Sequence, residues 1–208
     1  MMSKEMYPII IGIAGKARAG KDTVAQALGE VIPLHYRVNS YAFADGLRGA
    51  LLALDPIVGC DAFGFDRLSA VLEDYKGWEG VKDSMYGPEI RRLLQRLGTE
   101  SIRSLDNDFW VRQTMRRVRD IEERHDNMIH IIHDVRFENE ANAIRNSMRG
   151  VVVRVDNPDL RIAEDNHPSE VIDFDTDYVF TNKPSEGIVA FRKNVSALWH
   201  TIHKEVIL

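Results

Sequence analysis

Ile9–Thr23 reads IIIGIAGKARAGKDT, and the fold turns on how this stretch is interpreted. Ile9–Ile13 is a short apolar run rich in β-branched residues, as a strand covered on both faces requires. The spacing G-x-x-x-x-G-K follows at once, from Gly15 to Gly20 and Lys21. Val24, Ala25, Leu28 and Val31 then share one face of a helix over Lys21–Val31, and Pro33 stops it. A glycine turn carrying an incidental lysine would have the same letters. It would not need to stand between a first buried strand and a helix, which is where a phosphate-cradling loop belongs.

The physical demand of such a loop is specific. A triphosphate carries about four negative charges and needs many donors without crowding. Gly15 and Gly20 let the chain turn so that the amides around Arg18, Ala19 and Gly20 converge, and the start of the helix adds its positive end. Lys21 reaches the β- and γ-phosphates. Asp22 stands where Ser or Thr normally follows the lysine. A carboxylate beside phosphate is repulsive, so Asp22 is expected outside the cradle, capping the helix, or facing Mg²⁺ directly or through water. Thr23 supplies a hydroxyl one position later. The two are expected to share the metal-side and capping duties, in proportions the sequence does not fix.

Working outward, strands and helices alternate. A second strand is expected near Ser40–Ala44, with Asp45 as an N-cap and Leu47, Ala50, Leu51 and Leu54 on one helical face. Residues 56–87 break this rhythm with five glycines set among Phe63, Phe65, Tyr75, Trp78 and Tyr86. They read as an aromatic-lined insertion or an ordinary surface excursion. Ile90, Leu93, Leu94 and Leu97 restore helical periodicity, with Gly98 at the expected C′ position, and a further helix is expected from about Asp108 to Glu123. Met128–His133 is a third strand ending at Asp134, followed by a short helix. GVVVRV is a fourth strand and YVFTN a fifth, and a last helix carries Ile188, Phe191, Val195, Leu198 and Ile202. The implied class is α/β: a three-layer fold on a five-stranded, mostly parallel sheet with right-handed crossovers. Ligands bind at the edge formed by the strand C-termini. That edge would collect Gly15–Lys21, Asp45, Asp134–Arg136, loop 156–170 and Thr181–Asn182.

The whole chain sets bounds. It has 208 residues, 44% hydrophobic and 28% charged, with net charge −5. The acidic balance argues against nucleic acid as the main partner. One cysteine, Cys60, leaves no internal disulfide framework and fits a reducing cytoplasm. No apolar run approaches the length of a membrane span. His130, His133 and His167 lack zinc-site spacing, and Cys60 lacks neighbours, so they read as structural or peripheral.

Four motifs in order, GKARAGKDT, LLQRLGTE, NDFWV and DVRFENEANAIR, resemble the deoxynucleoside monophosphate kinases of large bacteriophages, which are adenylate-kinase-like enzymes with a P-loop NTPase-type fold. The resemblance runs from Ile9 to about Arg145, with weaker support in HPSE and beyond. It implies one kinase domain over residues 1–208, an inserted helical acceptor-binding region at 56–125, and a lid at 156–170 with Arg161, preceded by Arg154. It implies transfer of the γ-phosphoryl group of ATP to a deoxynucleoside 5′-monophosphate, with Mg²⁺, in the cytoplasm (a host's, if the protein is viral).

The donor set would be Gly15, Arg18, Ala19, Gly20, Lys21, Asp22, Thr23 and Asn182, with Asp22 and Thr23 on the metal side. Arg91, Gly98 and Thr99 are implied as monophosphate contacts and Trp110 as a base or sugar wall, although a tryptophan on a helix is equally a core residue. Asp134, Arg136 and Glu140 are implied as substrate-binding, with Lys21, Arg136 and Asp134 carrying catalysis; from spacing alone, Arg136 and Glu140 can pair as i, i+4. TNKPSEG, after the fifth strand, is expected to border the adenine; Ser185 stands where a guanine reader carries Asp, so guanine selectivity in the donor is not supported. Another small-molecule kinase would share the donor half. A nucleotide-dependent switch would lack the arginine-rich acceptor side. The stretch 56–87 could be a base pocket, a homodimer surface, or both.

Overall fold

A strand whose residues are apolar at every position must be covered twice, and Ile9–Ala14 (β1) is buried along its whole length. The computed structural model describes residues 9–61, 64–123, 125–147, 149–159 and 172–207. After β1 come α1 (Lys21–Val31), β2 (Arg37–Tyr41), α2 (Ala44–Leu54), the hairpin strands β3 (Ile57–Asp61) and β4 (Gly64–Arg67), α3 (Leu68–Asp74), α4 (Trp78–Val81) and α5 (Gly87–Gln95). A wider helical segment, Arg96–Arg103, continues from α5. The chain goes on through α6 (Phe109–Glu122), β5 (Met128–Val135), α7 (Glu138–Arg145), β6 (Arg149–Asp156), β7 (Tyr178–Thr181) and α8 (Gly187–Ile202).

The chain divides into two units. One comprises the residues up to Phe43 and from Val111 onward; the other is Ala44–Trp110. The first holds a five-stranded sheet in the order β2-β5-β1-β6-β7, parallel at every pairing. Ile9, Ile11 and Ile13 of β1 face α1 and α8, in a core with Leu28, Ile131, Val153, Trp199 and Ile202. Ile10 and Ala14 face the opposite way, with Val111, Val118, Ile132, Ala141 and Ile144. These two cores make the three layers that alternating strands and helices call for. Gly12 lets α7 approach β1, since a Cβ there would stand 2.6 Å from Ile144 Cδ1.

The second unit has its own core of Leu51, Val58, Leu68, Val71, Leu72, Val81 and Ile90. It corrects the sequence reading at Asp45 and at Gly98. Residues 56–87 contain an antiparallel hairpin and two short helices. The compact unit spans Ala44–Trp110. Asp45 lies inside the first turn of α2, paired with Arg48 at 3.6 Å, and does not precede the helix. Gly98 does not end a helix. It is buried within the continuous segment Arg96–Arg103, and its missing Cβ accommodates Leu47, whose Cδ2 would be 2.5 Å away. In the first unit, β2 ends at Tyr41, short of the expected Ala44. Among the described residues no helix is long and apolar enough to cross a membrane.

Candidate active site

The loop between β1 and α1 has a backbone that few sequences could adopt. Gly15 and Gly20 take φ of 153° and 94°, and Arg18 takes φ of 60° despite its side chain. Gly15 also lies where any side chain would strike the sheet, with Val155 O 2.6 Å from an added Cβ. Within this turn Ala19 N–H donates to Lys16 O at 3.2 Å, and Val24 N–H to Gly20 O at 2.9 Å, opening α1.

Lys21 folds back over the loop. Its Nζ donates to Gly15 O at 2.9 Å and to Lys16 O at 2.8 Å, and the residue is 9% exposed. An ammonium group this buried needs such acceptors to offset its lost hydration. The result is a fixed positive charge on a turn of main-chain amides at a helix N-terminus, the arrangement that binds phosphate.

Asn182, at the end of β7, supports this turn from behind. Its Nδ2 donates to Ala19 O at 2.9 Å, and its own N–H donates to Asp156 O at 2.8 Å. The same Nδ2 lies 2.3 Å from where a Cβ on Gly20 would be, so the glycine and the asparagine require each other. The buried carboxamide is therefore a buttress of the cradle.

The end of β5 carries a bulge. β1 and β5 pair Gly12 with Ile132 but Ala14 with Val135, so β5 has one residue more than its partner there. Ile132 and Val135, three apart, consequently face the same core. The bulge re-aims the two residues inside it. His133 points toward α1, and its Nδ1–H donates to Asp22 Oδ1 at 2.7 Å. Asp134 accepts the main-chain N–H of Phe43, just past β2, at 2.6 Å. His133, read from the sequence as structural or peripheral, touches the helix that follows the loop; nothing in the sequence marks the bulge that puts it there.

Glu140 is 3% exposed, and its Oε2 accepts the main-chain N–H groups of Arg136 at 2.8 Å and Phe137 at 3.2 Å. This carboxylate closes the first turn of α7 and fixes the backbone that carries Arg136, which is a structural duty. Arg154, on β6, pairs through Nε with Asp156 Oδ1 at 3.1 Å. Arg161, and the lid segment from 160 onward, lie outside the described residues up to 171.

The remaining expected residues belong to the second unit. Trp110 is buried, and its indole N–H donates to Gly98 O at 3.3 Å, with Phe109 edge-on at 4.9 Å. That bond pins the wide helical segment. Arg91 is exposed on α5, and Thr99 is half-buried beside Gly98. Arg103 is buried, and its Nη1 holds Asn107 O and Oδ1, each at 3.1 Å.

No group of three or more His, Cys, Asp or Glu side chains able to hold a metal occurs among the described residues. A magnesium ion carried by a nucleotide does not need one, because phosphate and water supply most of its ligands. Thr23 carries a hydroxyl oxygen at the start of α1, while the Asp22 carboxylate is paired with His133.

Comparison with known proteins adds to this geometry. Residues 62–185 match the model of a family described as deoxynucleotide monophosphate kinase. The match excludes the loop Gly15–Thr23, so the loop and the family point to nucleotide chemistry separately. A protein of Acanthamoeba polyphaga mimivirus, provisionally named a deoxynucleotide monophosphate kinase, is 28% identical over 171 residues, covering 78% of this chain and 81% of the relative. The crystal structure of TT1252 from Thermus thermophilus aligns over 96% of this chain and 98% of that one at 16% identity, with a TM-score of 0.46, too loose to support an argument.

Proposed function

The chain belongs to the deoxynucleotide monophosphate kinase family and is a phosphotransferase, and from this we propose that it transfers the γ-phosphoryl group of ATP to a deoxynucleoside 5′-monophosphate. An oxygen of the acceptor's phosphate attacks the γ-phosphorus, the bond to the β–γ bridging oxygen breaks, and ADP and the deoxynucleoside diphosphate leave. Nothing in this route requires a covalent enzyme intermediate.

The observation that carries the reading is Lys21. Its ammonium, held by Gly15 O and Lys16 O, sets a positive charge over a turn of converging amides. Charge spreads over the γ-phosphoryl oxygens in the transition state, and a preorganised cation stabilises it without reorganising. Magnesium would neutralise further charge on the phosphates. Thr23 is proposed as its protein oxygen, because the Asp22 carboxylate is already engaged by His133. Arg136, on the backbone that Glu140 fixes, is the proposed guanidinium for the reacting phosphates. Asp134 orients that strand end through Phe43 N–H. Arg91 and Thr99 are proposed to hold the acceptor's monophosphate, with Gly98 keeping the helix close to Leu47 and Trp110 holding Gly98 in place. Arg154 and Arg161 remain proposals for a phosphate-covering lid. Small substrates and a cytoplasmic setting go with this chemistry.

The test is ADP release coupled to a spectroscopic readout, screened across deoxy- and ribonucleoside monophosphates with Mg²⁺ and ATP. Turnover that depends on a deoxynucleoside monophosphate supports the proposal. Turnover with some other acceptor, or slow hydrolysis indifferent to any acceptor, would replace it.

A further inference from the structure

The bulge in β5 and the aspartate in the phosphate loop are linked by a contact whose purpose the reaction itself does not explain. Asp22 occupies the second position of α1, in the turn whose amides bind anions. An unrestrained carboxylate there competes with polyphosphate for the same positive helix end and repels it. Its side chain is 60% exposed, so burial does not fix where the charge sits. A hydrogen bond does: His133 Nδ1 meets Asp22 Oδ1 at 2.7 Å. A carboxylate only accepts, so the ring nitrogen carries the proton. His133 can reach α1 because the extra residue in β5 re-registers the strand end at this point.

We propose that His133 is a positioning residue for the donor site, holding the Asp22 carboxylate on the β5 side of α1 and away from the phosphate tail. The proposal rests on the loop Gly15–Thr23 being the nucleotide site. It makes His133 a determinant of ATP affinity with little effect on the chemical step. It also turns the unusual aspartate from a metal ligand into a charge that must be restrained.

The experiment is a double-mutant cycle read by calorimetry with Mg·ATP in the absence of any acceptor, so that it does not depend on identifying the acceptor. Steady-state kinetics follow with whichever monophosphate the screen selects. His133→Ala should weaken Mg·ATP binding about tenfold, the scale of one charge-assisted hydrogen bond, and raise KM for ATP correspondingly, with kcat within about twofold. His133→Gln keeps a donor and should stay near the parent. Asp22→Asn removes the charge and should bind at least as well as the parent. The double variant Asp22→Asn/His133→Ala should recover most of the lost affinity. A merely structural ion pair would lower the melting temperature of His133→Ala and leave affinity unchanged, which overturns the proposal. So does a double variant as weak as His133→Ala, or an Asp22→Asn chain that itself loses a hundredfold or more, since the carboxylate is then a required ligand. If the parent binds Mg·ATP but accepts no deoxynucleoside monophosphate, the proposed reaction fails while this cycle remains readable.

Discussion

Replacing Gly20 with alanine places two separable penalties on one added carbon. The φ of 94° is left-handed and costs an L-residue about 1–2 kcal/mol. The new Cβ would also sit 2.3 Å from Asn182 Nδ2, so the carboxamide must withdraw from Ala19 O, where it now donates at 2.9 Å. Losing that buried bond costs about 1–3 kcal/mol, for a total of about 2–5 kcal/mol. Asn182→Ala alone loses only the bond, about 1–3 kcal/mol. In the double variant the bond can be lost only once and the collision disappears. The effects should therefore fall short of additivity by about 1–3 kcal/mol. Urea unfolding followed by circular dichroism measures this directly, and melting temperature should move about 2–4 °C per kcal/mol for a chain of this size. Strictly additive losses, or a Gly20→Ala chain as stable as the parent, would refute the claim that Asn182 and Gly20 jointly shape the cradle.

Four further outcomes follow from the same structure. Lys21→Ala should lower turnover about a hundred- to a thousandfold while the far-ultraviolet spectrum keeps its α/β shape, since the Lys21 ammonium donates to the loop carbonyls of Gly15 and Lys16. Glu140→Ala should cost about 1.5–3 kcal/mol by stripping the acceptor from Arg136 and Phe137 N–H, and Glu140→Gln should cost less because its amide oxygen still accepts. Trp110→Phe should cost about 1 kcal/mol through the lost bond to Gly98 O, seen as a lower urea midpoint. Burial, then donation of its hydroxyl to Glu205 Oε2 at 2.7 Å, raises the Tyr178 phenol from 10.0 to about 12. The folded state therefore favours the neutral phenol, and this stability is complete below pH 10 and lost as pH rises from 10 to 12. Tyr178→Phe should remove that alkaline loss in a melting series.

The parts legible in the sequence were those that local rules determine. α1 could be placed to the residue because a glycine-lysine pair opens it and Pro33 lies just beyond its end. Strands β1, β5 and β6 announced themselves as β-branched runs, and their parallel pairing followed from the α/β alternation. What escaped depended on partners distant in the chain. Gly98 looks the same in sequence whether it ends a helix or makes room for Leu47, and only the packing of α2 decides. Asn182 acts on Ala19 across 163 residues, a contact set by strand order. The hairpin β3–β4 has no alternation strong enough to stand out among its glycines and aromatics. The contact of His133 with Asp22 was not legible because a bulge has no sequence signature, and one extra residue in β5 determines what it touches.

The most direct test of the central claim uses ATP labelled in its γ-phosphate, incubated with the protein, Mg²⁺ and a deoxynucleoside monophosphate, with products separated by chromatography. The account predicts label in the deoxynucleoside diphosphate with the parent chain, at a rate at least about a hundredfold lower with Lys21→Ala. Label recovered only as free phosphate, or transfer at the parent rate after loss of Lys21, would contradict it.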